Sequence, residues 1–212
     1  MKRVFFVMAL AVGAAAPAPV AAQLAGMPVW NSPKGGTGIT INGDYGKPDT
    51  DAGSGDAFGG RGTLGIGSLS LTAGLSSYKP SGGNTETSYG GDAAFRVIGG
   101  SLMPVNVNLL VGGAGTSASG SSSSSTIVAG GGVSVSLPTP AVAIEPYVSL
   151  TNRWRTTSGS TDSNFGWTIG ANLGFGAFGA HVAYDTESQT GGKTAGIIGL
   201  GVHLTLNVPL GM

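Results

Sequence analysis

The sequence predicts an all-β chain: a closed antiparallel up-and-down transmembrane β-barrel of about ten strands, with eight as the alternative count and both termini periplasmic. Three observations predict it. Apolar residues alternate with small polar ones from Gly38 onward, and no segment repeats with a helical period. The charges inside the alternating segments keep to one parity. The links between segments are short and long in turn, the habit of a barrel with tight turns at one rim and loops at the other.

Composition narrows the class. Only 9% of the 212 residues are charged, against roughly 25% in a soluble globular domain. Glycine contributes 40 residues, without the triplet period of collagen. A formal net charge of zero with no basic block argues against a nucleic-acid partner. Cysteine is absent, which removes thiol catalysis, disulfides and Cys-based zinc sites together.

Residues 1–22 read as a Sec-type signal peptide: Lys2 and Arg3, an apolar run from Val4, then a small-residue end at Ala21-Ala22. Cleavage before Gln23 leaves residues 23–37 as a periplasmic lead or a plug of the lumen, with Trp30 as its stopper. The barrel occupies 38–212. Strands are expected near 38–46, 57–66, 68–78, 88–98, 104–115, 126–137, 143–155, 164–174, 177–186 and 195–211. Gly67-Ser68 and Gly174 to Ala177 make tight links, while "KPDTDAGSGD", "KPSGGNTET", "TSASGSSSSS", "TTSGSTDS" and "TESQTGGK" read as long external loops.

The charges decide which face looks where. Asp44, Arg61, Asp92, Arg96, Glu145, Arg153 and Asp185 share the parity of Gly, Ser and Thr, and none shares that of Leu64, Leu71, Val107, Leu150 or Val182. A charge at the lipid-facing midplane costs about 2–4 kcal/mol, whereas water imposes no such ban. The apolar face therefore looks at lipid, and the charged, small-residue face looks into a lumen. Aromatic residues agree. Tyr45, Phe58, Tyr89, Trp154, Phe165, Trp167 and Tyr184 sit at strand ends beside the long links, as an outer headgroup girdle. Tyr78 departs from this parity and is expected to cap its strand, and Phe175 and Phe178 would form a thinner periplasmic girdle.

The last strand keeps the alternation through Leu204, Leu206, Val208, Leu210 and Met212, and "EPYVSL" opens another strand with Pro-Tyr. On these features the chain resembles the small bacterial outer-membrane β-barrels, the OmpA-, OmpX- and OmpW-like group, over nearly all of its mature length. The resemblance implies residence in the bacterial outer membrane, contact with its lipids, and recognition by the barrel-assembly machinery through the C-terminal strand. In that group the final residue is aromatic; here it is Met212, and Pro209 removes a ladder donor.

Chemistry is scarce. "GRGTLG", Gly60 to Gly65, matches a dinucleotide fingerprint, but a strand follows where a helix is required. Asp49, Asp51 and Asp56 cluster in one loop without the spacing of a calcium loop. The two histidines, His181 and His203, share the lumen parity. Pairing about a loop near Gln189 sets them too far apart for a dyad, and His181 is expected to meet Asp185 along its own strand. No catalytic, cofactor or metal residue is assigned, and no enzyme is expected. Many inward positions are small, among them Ser70, Thr72, Gly74, Gly130, Gly166, Gly170 and Gly199, which predicts water in the lumen. The expected function is a narrow passive channel or structural barrel. The alternative is an adhesin-like barrel acting through its external loops, which lack the aromatic anchors of binding hot spots.

Overall fold

The computed structural model describes residues 24–100, 103–118, 123–189 and 191–206. Its strands are β1 (Gly38–Pro48), β2 (Asp56–Ile66), β3 (Leu69–Lys79), β4 (Glu86–Gly100), β5 (Met103–Ala118), β6 (Ser124–Val135), β7 (Leu137–Pro138), β8 (Ala143–Thr157), β9 (Ser160–Phe175), β10 (Phe178–Ser188) and β11 (Thr194–Leu206). Each long strand pairs antiparallel with its sequence neighbours. β1 pairs with β11 and β6 with β8, so the sheet closes on itself. β7 is a two-residue piece on the edge of β8, which leaves a wall of ten strands.

Tight links mark one rim. Gly67 and Gly176 take positive φ values of 64° and 68° in the two shortest, a corner that a Cβ disfavours. The start of β1 and the end of β11 lie at this rim, the one expected to face the periplasm. One polar stretch expected as a loop is wall instead. "TTSGSTDS" continues the ladder of β8 and β9 to the pair Thr157–Ser160, turning only at Ser158-Gly159 with φ values of 52° and 84°. A Ser-Gly corner with flanking threonines suits a tight hairpin, and Thr156 and Thr161 bond across it at 2.8 Å. The β10–β11 link also tightens onto its glycines. Gly191 and Gly192 take φ values of 88° and 79°, and the N–H of Gln189 donates to the Lys193 carbonyl.

The wall is apolar outside and polar inside. Leu71 is 39% exposed, Leu109 59% and Val202 65%, all on the outer face. The buried side chains are largely polar: Asp44, Asn106, Asn108, Ser149, Thr151, Arg153, Thr168 and Asp185 line or fill the interior. Residues 24–36 are inside as well. They run down the lumen from Leu24, packed on Ala57 and Tyr78 near the long-loop rim, to Gly36 against Gly65 near the short-turn rim. The chain then reverses at Thr37 into β1.

Opposite solvents for neighbouring residues give a direct check. Leu71→Arg should cost about 2–4 kcal/mol of stability, and Thr72→Arg much less. Single cysteines at the same positions should separate cleanly, with a membrane-soluble quencher reaching a label at 71 and an aqueous thiol reagent reaching 72. The reverse pattern would invert the two faces.

Candidate functional site

The lumen holds the side chains in which chemistry is concentrated, and the lead organises them. The outer end of the lead is pinned by the Ala25 N–H, which donates to Ser88 at 2.7 Å, and by the Ala25 carbonyl, which accepts from Ser76 at 2.9 Å. Farther in, the Asn31 amide donates to Asn108 and Ser149, and its carbonyl accepts from Asn172. Glu145 then takes the Ser32 hydroxyl at 2.7 Å and the Lys34 N–H at 2.8 Å, while Ser134 and Asn172 fill its remaining positions. Glu145 is thus a charged lumen residue satisfied by neutral donors. Arg96, at the short-turn rim, donates to the Lys34 carbonyl.

Small wall residues make the space. A Cβ on Gly46 would stand 2.1 Å from the Gly26 carbonyl oxygen, one on Gly199 2.5 Å from Pro28, and one on Gly65 2.4 Å from the Gly36 carbonyl. The expectation of water behind these glycines therefore fails over the outer half of the lumen. The signal was present in the sequence as glycine on the lumen parity, beside a lead read as a periplasmic segment or a plug with Trp30 as its stopper.

Beyond the lead, two ionic clusters cross the wall. In the outer one, Arg153 is 0% exposed and grips Asp185 through both terminal nitrogens, at 2.9 and 2.7 Å. It also reaches Glu187 at 3.3 Å and Thr151 at 3.2 Å, and Thr168 donates to Asp185. Arg155 and Asn164 complete Glu187. Gly166 leaves room for the guanidinium, 2.6 Å from where its Cβ would be. The expectation that Arg153 faces water is corrected here: it is packed. So is the expected contact of Asp185 with His181, because Asp185 is taken by Arg153.

The second cluster lies at mid-lumen. Arg61 donates to both oxygens of Asp44, at 2.6 and 3.1 Å, and His181 Nε2 stands 2.6 Å from the same carboxylate. His181 Nδ1 meets His203 Nδ1 at 3.3 Å, with ring centroids 5.6 Å apart. The histidines do touch, contrary to the sequence expectation. The loop is centred on Gly191 instead of Gln189, so His181 pairs with Gly201 and His203 becomes its diagonal neighbour. Trp30 of the lead packs edge-on against His181 at 4.5 Å, and the Arg61 guanidinium lies 5.2 Å from the indole centroid. This Asp-His-His chain has a base and an orienting carboxylate. Among the described residues no hydroxyl is bonded to either imidazole, so nothing is placed for it to activate as a nucleophile.

Inside the short-turn rim, a cavity of about 850 Å³ is bounded by Trp30 and residues 31–38 of the lead, and by Arg61, Asp92 and His203 of the wall. A smaller one of about 330 Å³ lies at the long-loop end, beside Leu24 and Tyr78. The Tyr78 hydroxyl donates to the Ala52 and Ser54 carbonyls, tying the first long loop over the lumen. The acids of that loop diverge: Asp49 caps the Ala52 N–H, Asp51 pairs with Lys193, and Asp56 holds Lys47 and Tyr45. Among the described residues no three His, Asp or Glu side chains gather as a metal site. On the outer surface Phe58, Tyr89, Trp154, Phe165, Trp167 and Tyr184 are exposed near the long-loop rim, with Tyr45 half-buried against Phe58 and Trp167 against Tyr184. Of the C-terminal assembly residues, Leu204 and Leu206 pair with β1, while Val208, Leu210 and Met212 lie outside the described residues, as does the signal peptide.

Arg153→Ala should remove the counter-charge of the buried Asp185 and cost about 3–5 kcal/mol. Lys47→Ala, which breaks a half-exposed pair with Asp56, should cost no more than about 1 kcal/mol. The temperature at which the folded gel band converts to the unfolded one measures both.

No family model matches the sequence, and no curated protein does either. Solved structures do match in shape. The β domain of the Bordetella autotransporter BrkA has a TM-score of 0.55 at 9% identity, over 80% of this chain and 99% of that one. The N-terminal β-barrel domain of Pseudomonas aeruginosa OprF gives 0.41 at 14% identity, over 81% and 99%. A bacterial polysaccharide outer-membrane secretin gives 0.49 at 10% identity over 72% of this chain, which spans 57% of its length. At such identities the likeness speaks to architecture alone, and the architecture agrees with the apolar outer band and the polar lumen. The chain is a closed ten-stranded antiparallel β-barrel with the architecture of bacterial outer-membrane barrels, crossed inside by its own N-terminal lead.

Proposed function

We propose that this barrel is a narrow passive channel held closed by its lead. The observation that carries the reading is the fit of residues 24–36 in the lumen. Every long strand touches the lead or a residue that touches it, and wall glycines are spent on making room for Gly26, Pro28 and Gly36. A purely structural barrel could fill its interior with wall side chains, as eight-stranded barrels do. A separable segment, bonded mainly through hydroxyls, amides and one carboxylate, is a filling that can leave. Cavities on either side of it, of about 850 and 330 Å³, supply the wet approaches that a channel needs.

Planar-bilayer recording tests this. The full-length protein should show little steady conductance. Gly199→Leu, whose side chain takes the space of Pro28 and Trp30, should conduct stepwise. A cysteine pair at Asn31 and Ser149, whose side chains stand 2.9 Å apart, should silence that variant until a reductant is added. Folding is checked in each case by heat-modifiable mobility. Folded cradle variants as silent as the parent would overturn the channel and move the weight to recognition through the external loops.

A further inference from the structure

The inner cavity carries an arrangement that the channel reading does not use. Thr205, Thr40, Thr63, Thr72 and Asp92 stand in direct cross-strand register on β11, β1, β2, β3 and β4. All five line the cavity as one row, about 4.8 Å from strand to strand. Thr40 and Thr205 share a hydrogen bond at 3.0 Å, Thr63 and Thr72 one at 3.2 Å, and Thr72 also bonds Asp92. A hydroxyl has one proton and two lone pairs. With three of the four hydroxyl protons committed along the row, the wall presents mainly lone pairs to the cavity and ends in a carboxylate.

In the next row inward, His181 Nε2 stands 2.6 Å from Asp44 and its Nδ1 3.3 Å from His203 Nδ1, while His203 Nε2 lies beside Gly179. The Asn42 amide donates to the Arg61 carbonyl, and its oxygen is a further acceptor. Most side-chain donors around the cavity are engaged, while the Trp30 indole N–H has no partner among the described residues. Arg61 is held by both oxygens of Asp44, Arg96 donates to the Lys34 carbonyl, and Asn172 to Asn31 and Glu145. Asp92 has no ion pair among the described residues. The Lys34 side chain stands exposed at the mouth of the cavity.

From this we infer that the inner cavity binds small amines, primary ammonium cations and short polyamines that reach it from the periplasmic side. Such a solute is rich in N–H donors and positively charged, which an acceptor row ending in Asp92 complements. An anion would meet the lone pairs of the threonine row and the Asp92 carboxylate along that wall. A quaternary ammonium would satisfy the carboxylate and leave the row unbonded. The cavity opens at the short-turn rim with the lead in place, so the inference stands apart from whether the barrel conducts.

The test reads Trp30 in the full-length protein, with Trp154→Phe and Trp167→Phe removing the other two tryptophans. Putrescine and spermidine should change its fluorescence saturably. Tetramethylammonium, glucose and citrate should bind at least roughly tenfold more weakly, the loss expected without charge-assisted N–H bonds. Asp92→Asn should weaken putrescine by a similar factor, Thr63→Val by a few-fold, and Lys34→Gln should strengthen it by removing a competing charge at the mouth. Heat-modifiable mobility verifies folding, and Thr63→Val carries the test if Asp92→Asn does not fold. The inference is overturned if putrescine produces no saturable change, if Asp92→Asn folds and binds it unchanged, or if tetramethylammonium or glucose binds equally well. A barrel that never conducts would leave each of these outcomes as it is.

Discussion

Hydrocarbon offers no partner to a backbone N–H or carbonyl, and the rest of this structure follows from that constraint. An unsatisfied backbone group in lipid costs several kcal/mol, so the strands must close into a ring with no free edge. The pairing of β1 with β11, and of β6 with β8 past the small β7 piece, completes the ring. Once it is closed, alternation sends every second side chain to lipid and the others to the interior. Polar groups then have one place to go. The bidentate Arg153–Asp185 pair, the Asn31–Asn108 amides and the Asp44–His181 bond are all consequences of charges and amides confined to a tube. In such confinement an unpaired group is costly, and nearly every one is paired.

A ten-stranded tube is wider than its own inward side chains can fill when so many of them are glycine, serine and threonine. The lead resolves the mismatch on the outer half and leaves it unresolved on the inner half. The division is visible along the wall. Where the lead is pressed close, at Gly46, Gly59 and Gly199, a Cβ would collide. Where it has turned away, the inward residues carry hydroxyls and a space remains.

Much of this was legible from residues. The outward parity of Leu71 and Val202, and the confinement of Asp44, Arg61 and Arg153 to the other parity, are local patterns, and local patterns survive folding. The misses were of another kind. The histidine pair depends on the register of β10 and β11, which shifts with the choice of turn residue: a loop closed on Gly191-Gly192 instead of Gln189 brings His203 onto the diagonal of His181. The hairpin at Ser158-Gly159 looked like a loop because its strands continue past the membrane, where the alternation has no lipid to answer to. The burial of Arg153 required knowing that Gly166 lies beside it on the next strand. Register and neighbourhood are relations between distant segments, and a single sequence states neither.

The lead is joined to the wall at Gly38 and ends its descent through the lumen at that same rim. It is therefore hinged, like a flap, on the periplasmic edge of the tube. Withdrawal toward the cell exterior would drag the first residues of β1 out of a closed ladder, breaking bonds to both β2 and β11. Withdrawal toward the periplasm would break the bonds of the lead to Ser76, Ser88, Asn108, Ser149 and Glu145 and leave the β1 ladder paired. The attachment is thus directional: only a displacement toward the short-turn rim leaves the closed ladder of β1 intact.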